Sequence, residues 1–253
     1  MLQLIGQISD IKSAVNAFNS SYHADYDRVR KISRRYLDAD VSLERASEEA
    51  EALYEALANW GACTRRAPTL RPPHQAAVKL KDKALHARLA CLDRFGLDGL
   101  DLAAGSDTTF NKTVPFGSVK QFDIELLSIL AALADALFIN NTNVTYPMKA
   151  LLLITGFMPA LDSQVRKGLQ RAGMAGFSGT QYLLPKNAYR AAGRRICDLP
   201  FSLARCWHEN KDQLIEAVLQ SDHPGLSTDP GRIFDILLFM QRPPERCLIL
   251  SAN

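Results

Sequence analysis

The stretch Lys149-Ala-Leu-Leu-Leu-Ile-Thr-Gly-Phe-Met-Pro-Ala-Leu-Asp162-Ser-Gln-Val-Arg166 encodes two helices and the turn between them. Pro147 suits the first position of a helix, because its missing N–H would be unpaired there in any case. The segment Gly156-Phe-Met-Pro159 is typical of a helix end, and Asp162 is a good N-cap for the next helix. An amine and a carboxylate are therefore each predicted at the start of a helix.

The rest of the chain has the same helical spacing of apolar residues. It is found at residues 4–18, 43–57, 79–95, 122–138, 147–155, 163–172, 187–197, 213–219 and 231–240. Alternating patterns are almost absent, although 182–184 and 247–250 are candidates for short extended pieces. The sequence therefore predicts an all-α fold.

One long break interrupts the helical pattern, at the Gly-, Asp- and Thr-rich segment 96–116. A chain of 253 residues is long enough for one large core or for two small lobes. We expect a single two-lobed helical domain, with lobes at 1–116 and 117–253.

Composition narrows the class of protein. No apolar run approaches the roughly 18 residues that a membrane helix needs, and residues 1–7 lack the basic and apolar regions of an export signal. The five cysteines are odd in number and share no C-x-x-C spacing, which is typical of reduced thiols. We expect a cytoplasmic protein without a membrane association, a metal site or a cofactor.

Positive charge is concentrated in one part of the chain, although the formal net charge is only +3. Residues 162–206 carry eight Lys and Arg side chains against two Asp. A second basic stretch spans 65–83. Basic stretches of this kind attract a phosphate backbone, whereas the simpler alternative is a solvated helix face. The candidate nucleic-acid-binding residues are Arg65, Arg66, Arg166, Lys167, Arg171, Lys186, Arg190 and Arg194.

The helix starts are expected to shift the charge states of Lys149 and Asp162 in opposite directions, towards a neutral amine and an ionised carboxylate. The positive end of the helix dipole disfavours an ammonium, and burial would add to this effect, so Lys149 is expected to be neutral more often than a free lysine. A neutral amine is the form that attacks a carbonyl or a sugar C1′. Asp162 is expected to stay ionised, because the dipole and backbone N–H groups favour negative charge. Such divergence is typical of a nucleophile or acid–base pair.

The segment Met158-Pro-Ala-Leu-Asp162-Ser-Gln-Val165-Arg166 resembles the turn of the helix-hairpin-helix DNA glycosylase superfamily. The resemblance extends over about 55 residues, at 121–171. Residues 121–138, 140–146 and the helix from Pro147 take the places of helix, hairpin and helix. Lys149 stands where bifunctional members keep their Schiff-base lysine. The family hairpin is glycine-rich, whereas 140–146 contains no glycine.

The resemblance implies a DNA glycosylase, with or without lyase activity, that excises a damaged or modified base. A role in defence against phage DNA is compatible with this activity. Asp162 would stabilise the oxocarbenium-like sugar or orient a nucleophile, and Lys149 would attack C1′. The base must first be extruded from the stack, and the candidate stacking residues are Trp60, Tyr146, Phe157, Tyr182 and Trp207. The alternative is a noncatalytic helical protein that binds nucleic acid or a partner.

Overall fold

The computed structural model describes residues 2–64, 67–101, 117–174, 183–184, 191–241 and 248–252, with only the backbone for 183–184 and 191–195. Its helices are α1 (Ile8–Ala17), α2 (Ser20–Leu37), α3 (Leu43–Asn59), α4 (Pro73–Leu80), α5 (Lys83–Phe95), α6 (Val119–Leu137), α7 (Thr145–Thr155), α8 (Ser163–Arg171), α9 (Ala191–Leu219) and α10 (Pro230–Met240). Short 3₁₀ helices lie at Leu97–Gly99 and Pro224–Thr228. The predicted all-α fold is confirmed.

Two short antiparallel strand pairs join distant parts of the described chain. Strand β1 (Leu2–Leu4) pairs with β4 (Leu250–Ala252), which brings the two ends of the chain together. Strand β2 (Thr142–Asn143) pairs with β3 (Leu183–Leu184) beside the start of α7. Within the described residues, no helix combines the length and the apolar character needed to cross a membrane.

Side-chain caps explain where several helices begin. Asp82 accepts a hydrogen bond from the Leu85 N–H, which starts α5 and separates it from α4. The helix predicted at 79–95 therefore corresponds to α5 together with the last two residues of α4. Leu4 lies in β1 and outside any helix, so the first predicted helix begins four residues later than expected, at Ile8.

Helix α2 is the element that the apolar pattern missed. Its buried face includes polar and aromatic residues, namely His23, Asp25, Tyr26, Arg30, Ser33 and Tyr36. Because this face is not apolar in composition, hydrophobic spacing does not reveal it. The prediction divided the region of α9 into helices at 187–197 and 213–219. The structure has a kink as well, but at Asn210, where non-helical φ and ψ angles separate two helical parts.

Helix α7 is the centre of the packing. Every residue from Pro147 to Thr155 is buried, and α2, α3, α5 and α6 all pack against it. A single hydrophobic core combines residues from both sides of the predicted 116/117 boundary. The division into two lobes stays a prediction.

A buried ion-pair network holds α2, α5, α7 and α10 together. Arg30 on α2 donates to Asp229, at 2.9 Å, and to Asp93 on α5, at 3.0 Å. It also donates to the carbonyl oxygen of Ile154 near the end of α7. Because Asp229 immediately precedes α10, one guanidinium links the end of α7 to the start of α10.

Helix α10 approaches its neighbours at backbone distance, and two glycines make this possible. A Cβ atom at Gly231 would lie 2.3 Å from the carbonyl oxygen of Gly156, and one at Gly168 would lie 1.9 Å from that of Leu238. Both distances are far below van der Waals contact. The turn after α7 and the body of α8 are thus held tightly against α10.

We predict that Gly168→Ala lowers the free energy of unfolding by at least about 2 kcal/mol, because the new methyl group must push α8 away from α10. Urea unfolding measures the change. Gly225→Ala is the matched control, since a Cβ at Gly225 meets nothing within 4 Å. Equal stability of the two variants would contradict the close helix contact.

A buried carboxyl group on α3 gives a second prediction. Glu49 is fully buried and accepts a hydrogen bond from Ser33 Oγ at 2.7 Å. Burial raises the pKa of Glu49 to about 8, although the Ser33 hydrogen bond and Arg30 oppose the rise. Between its ordinary value of 4.5 and about 8 the folded state therefore holds more protons than the unfolded state.

The free energy of unfolding should consequently fall as pH rises from 4.5 towards 8, by up to about 1.4 kcal/mol per pH unit from this group. Glu49→Gln cannot ionise and should remove this part of the slope. Thermal or urea unfolding across that pH range measures it. The neighbouring exposed Glu48→Gln serves as control, and an unchanged slope in Glu49→Gln would contradict the assignment.

Candidate functional site

Lys149 lies farther from the start of its helix than the sequence predicted. Helix α7 begins at Thr145, where Asn143 Oδ1 accepts the backbone N–H at 3.1 Å, so Lys149 is the fifth helical residue. Pro147 is tolerated at the third position because the first four helical N–H groups have no intrahelical acceptor. The predicted first-turn position of Lys149 is therefore wrong, and its amine is farther from the positive end of the helix.

The Lys149 side chain is buried, with 9% of its surface exposed. Its Nζ donates to the backbone carbonyl of Trp60 at 2.6 Å and lies 5.4 Å from the ring centre of Tyr146. Burial lowers the pKa of Lys149, while the negative charges of Asp162 and Asp235 oppose part of that change. The shift has the expected direction, but its main cause is burial.

Asp162 is the N-cap of α8, as predicted. Its Oδ1 atom accepts the backbone N–H groups of Gln164 and Val165, both at 2.9 Å. These donors and the N-terminal end of the helix favour negative charge on the carboxylate. Its second oxygen is left for other contacts.

The turn that carries Asp162 is fixed from both sides. Thr145 Oγ1, at the start of α7, donates to the carbonyl oxygen of Leu161 at 2.8 Å. The backbone N–H of Ala160 donates to Asp235 Oδ1 on α10 at 3.1 Å. The Gly156 φ of +63° ends α7 in the left-handed conformation that glycine favours and opens this turn.

Lys149 and Asp162 line the same two neighbouring cavities. The larger, more open one measures about 630 Å³, and we call it the outer hollow. The smaller, more enclosed one measures about 270 Å³, and we call it the inner cavity. Lys149, Asp162 and Ser163 line both, so these three residues form the wall between them.

The outer hollow has a polar lining. Thr69, residues 140–143 and Tyr146 form one side, and Arg166 contributes a guanidinium from α8. Asparagine amides and an arginine are the donor groups that bind phosphate and sugar oxygens. The hollow therefore offers several side-chain hydrogen-bond donors and one guanidinium.

The inner cavity combines aromatic rings with a buried ion pair. Phe18, Tyr22, Trp60 and Phe239 supply the rings. Arg232 donates to Asp235 Oδ2 at 2.6 Å, and its guanidinium lies 5.1 Å from the Trp60 ring centre. The cavity of about 270 Å³ is thus lined by aromatic rings and by polar and charged side chains together.

Two buried donors beside this cavity have no acceptor among the described residues, namely Trp60 Nε1 and Arg232 Nε. A native protein pairs most buried polar atoms, so exceptions gathered at one place require an explanation. Their position at the inner cavity is consistent with a site whose polar groups serve a function.

Asp235 is the second carboxyl group of the inner cavity. It has 4% of its surface exposed. Burial raises the pKa of Asp235 to about 6, with Arg232 opposing the rise and the nearby charge of Asp162 adding to it. The cavity thus holds two carboxyl groups in different surroundings, one at a helix N-terminus and one in the core.

The predicted nucleic-acid-binding residues have different placements. Arg166 lines the outer hollow, and Lys167 is exposed on α8. Arg171 donates to the carbonyl oxygen of Gln241, so its guanidinium is engaged within the protein. Outside the described residues lie Arg65, Arg66, Lys186, Arg190 and the side chain of Arg194.

The predicted stacking residues separate into two groups. Trp60 lines the inner cavity, and Tyr146 lines the outer hollow with its hydroxyl donating to the Gly61 carbonyl at 3.1 Å. Phe157 and Trp207 each expose 1% of their surface, which corrects their assignment: they pack in the core and present no ring to a base. Tyr182 lies outside the described residues.

Sequence reasoning did not identify Tyr22, Arg232 or Asp235 as site residues. A signal was present in the otherwise apolar helix α10, where Arg232 and Asp235 are spaced three apart. Charged residues are rarely buried unless they are paired, so this spacing indicates an internal ion pair. Nothing in the sequence shows that the pair borders a cavity with Lys149.

Comparison with protein-family models, with curated proteins and with solved structures finds no significant match to this chain. Among the described residues, no three His, Cys, Asp or Glu side chains gather as metal ligands. The chemistry of the site is therefore argued from its own residues.

We predict that Lys149→Met raises the free energy of unfolding at neutral pH by about 1–2 kcal/mol, because it removes a buried amine and keeps a similar volume. A lysine pKa that is lower in the folded state makes the protein lose stability as pH falls below the ordinary value of 10.5. The gain should therefore grow as pH is lowered from the ordinary lysine value of 10.5. Urea unfolding measures it.

Lys31→Met on the exposed surface of α2 is the matched control and should leave stability nearly unchanged. A destabilised Lys149→Met would show instead that the amine is held there as a structural donor to the Trp60 carbonyl.

Proposed function

We propose that this protein is a DNA glycosylase with an associated lyase step. The observation that carries the proposal is the common wall: a buried amine of lowered pKa and a helix-capping carboxylate line the same two cavities. One of these cavities is aromatic and enclosed, whereas the other is polar and open. An extruded nucleotide has the same division, with a planar base at one end and a phosphate at the other.

We position the nucleotide according to this difference between the two cavities. Its base enters the inner cavity, where Trp60 and Tyr22 offer ring surfaces. Its flanking phosphate lies in the outer hollow beside Arg166. The sugar then lies against the wall between the cavities, within reach of Lys149 and Asp162.

The chemistry of this pair fits removal of a base from a sugar. The uncharged Lys149 amine donates its lone pair to C1′, while the C1′–N bond breaks and its electron pair leaves with the base. Asp162 stabilises positive charge that develops on the sugar and then accepts the proton released from the new C–N⁺ centre. The nitrogen lone pair then forms the C1′=N bond as the C1′–O4′ bond breaks, and O4′ takes the proton back from Asp162. Asp162 then removes the C2′ proton while the 3′ phosphate leaves with the electron pair of its bond to C3′, which cleaves the strand.

DNA is the proposed partner, and its proposed phosphate contacts are Arg166, which lines the outer hollow, and the exposed Lys167 that follows it on α8. The cytoplasm is the proposed compartment, which agrees with the free thiols of the described cysteines. The rival function is nucleic-acid binding without catalysis, in which the same basic edge holds a strand and the amine has no chemical role.

The test is covalent trapping. Duplexes carrying uracil, hypoxanthine, 8-oxoguanine, 7-methylguanine or an abasic site are incubated with the protein and borohydride, which reduces an imine to a stable adduct. We expect an adduct with wild-type protein and none with Lys149→Ala. Asp162→Asn should slow base release by about 10²–10⁴-fold, because asparagine keeps the helix cap and removes the charge.

Two matched controls separate chemistry from folding. Lys31→Ala removes an exposed lysine, and Asp82→Asn alters a capping aspartate at the start of α5. Both should retain wild-type trapping. Salt-sensitive DNA binding that ignores Lys149 and Asp162, with no adduct from any duplex, would favour the noncatalytic rival.

A further inference from the structure

Asp235 is a carboxyl group in the inner cavity to which the reaction above assigns no role. It projects from the middle of α10 and lines the cavity together with Lys149 and Asp162. Its charge acts on Lys149 and is acted on by Asp162, so the three groups lie within electrostatic range of one another. The aromatic residues on the same cavity place it at the end where a base would lie.

Hydrogen bonds hold the Asp235 carboxyl group in a fixed orientation. Oδ1 accepts the Ala160 N–H and Oδ2 accepts Arg232 Nη1. Arg232 is itself fixed, since it donates to the Tyr22 carbonyl and lies 4.8 Å from the ring centres of Phe18 and Tyr26. Each carboxyl oxygen keeps one further lone-pair position, which a bound base could meet.

A neutral base is a poor leaving group, because it departs with the electron pair of the C1′–N bond as an anion. A proton supplied to a ring nitrogen or carbonyl oxygen removes that obstacle, and a positioned general acid typically contributes about 10²–10⁴-fold in rate. Lys149 cannot be the donor, since it must be uncharged to attack. Asp162 is already engaged as the cap of α8, where its Oδ1 accepts two backbone N–H groups, and the proposed reaction assigns it to the sugar.

We infer that Asp235 is the general acid of the inner cavity, which donates a proton to the departing base while Lys149 attacks C1′. This inference rests on the proposed glycosylase function. The proton moves from the carboxyl group to the base, the base takes the electron pair of the broken bond, and the lysine lone pair forms the new bond to C1′. The remaining Asp235 carboxylate is stabilised by Arg232 and regains its proton from solvent.

The surroundings of Asp235 support a proton that is held and released near neutral pH. The charged and titratable groups that face it are Arg232 on its own helix, Asp162 at the start of α8 and Lys149 on α7, with Tyr26 on the far side of Arg232. Burial raises the pKa of Asp235 to about 6 despite the guanidinium. A general acid works best with a pKa near the operating pH.

The experiment compares two reactions of the wild-type protein between about pH 5 and about pH 9. One is base release from the lesion duplex that reacts fastest. The other is cyanoborohydride trapping on an abasic duplex, where no base has to leave. Because both reactions need the uncharged Lys149 amine, we expect the ratio of base release to abasic trapping to fall about tenfold per pH unit above about pH 6. Parallel profiles for the two reactions would overturn the inference.

Asp235→Asn provides the second measurement. It should slow base release by about 10²–10⁴-fold, abolish the fall above about pH 6 in the ratio of base release to abasic trapping, and leave abasic trapping within about threefold of wild type. Asp235→Asn removes the charge that pairs with Arg232 and could disrupt the fold, so that both reactions are lost. In that case the pH comparison of the two wild-type reactions tests the inference. Asp135→Asn on α6, which alters an exposed carboxylate, is the control.

The possible failures are distinguishable. No adduct with any duplex, including the abasic one, would overturn the proposed function and this inference with it. Abasic trapping without base release from any lesion would show that the protein is a lyase without glycosylase activity. It would also overturn the role of Asp235 as the general acid. Base release with an unchanged profile in Asp235→Asn would overturn only the inference.

Discussion

The buried guanidinium of Arg30 is the constraint on which the site geometry depends. It joins the end of α7 to the residue that precedes α10, through Ile154 and Asp229. Those two helices supply Lys149 and Asp235, and the turn between α7 and α8 supplies Asp162. Because a buried charge without its partner is costly, the network tolerates little rearrangement. The relative placement of the three site residues is therefore set by an interaction outside the cavity.

Two glycines determine the part of the geometry that the ion pair leaves open. An ion pair fixes points on two helices, but it does not fix how closely their backbones approach. Gly231 and Gly168 allow α10 to contact the turn and α8 without intervening side chains. As a result Asp235 reaches the Ala160 N–H directly, and the carboxylate orients the turn that carries Asp162. The same residue thus supports the geometry of the site and lines its cavity.

The helix ends were predictable from the sequence because they are encoded locally. Asp162 as a cap and Gly156 as a terminator each act within one turn of the chain, and both lie where the sequence places them. The start of α7 was misjudged since Asn143, a residue four before Pro147, caps it with its side chain. Helix α2 was missed because its buried face contains Arg30, His23 and Asp25, whose burial depends on partners far away in the chain.

The site itself was only partly predictable, for the same reason. The sequence identified Lys149 and Asp162 from their positions at helix starts, which is a local property. It could not place Trp60, whose carbonyl comes 89 residues earlier in the chain, or Asp235, which acts through a turn 75 residues away. It also named the helix dipole first and burial only as an addition, whereas burial is the main cause of the lowered Lys149 pKa.

The contact between Lys149 and Trp60 bears on how burial affects the protonation of the amine. An ammonium has three N–H donors, and among the described residues the carbonyl of Trp60 is the acceptor that Nζ contacts. A neutral amine needs fewer acceptors and keeps a lone pair. The carbonyl orients the nitrogen, and the Tyr146 ring 5.4 Å away offers a charged form only weak compensation. Burial therefore lowers the pKa of Lys149 even though Asp162 and Asp235 oppose part of the change, and a lowered pKa is the direction that the proposed attack on carbon requires.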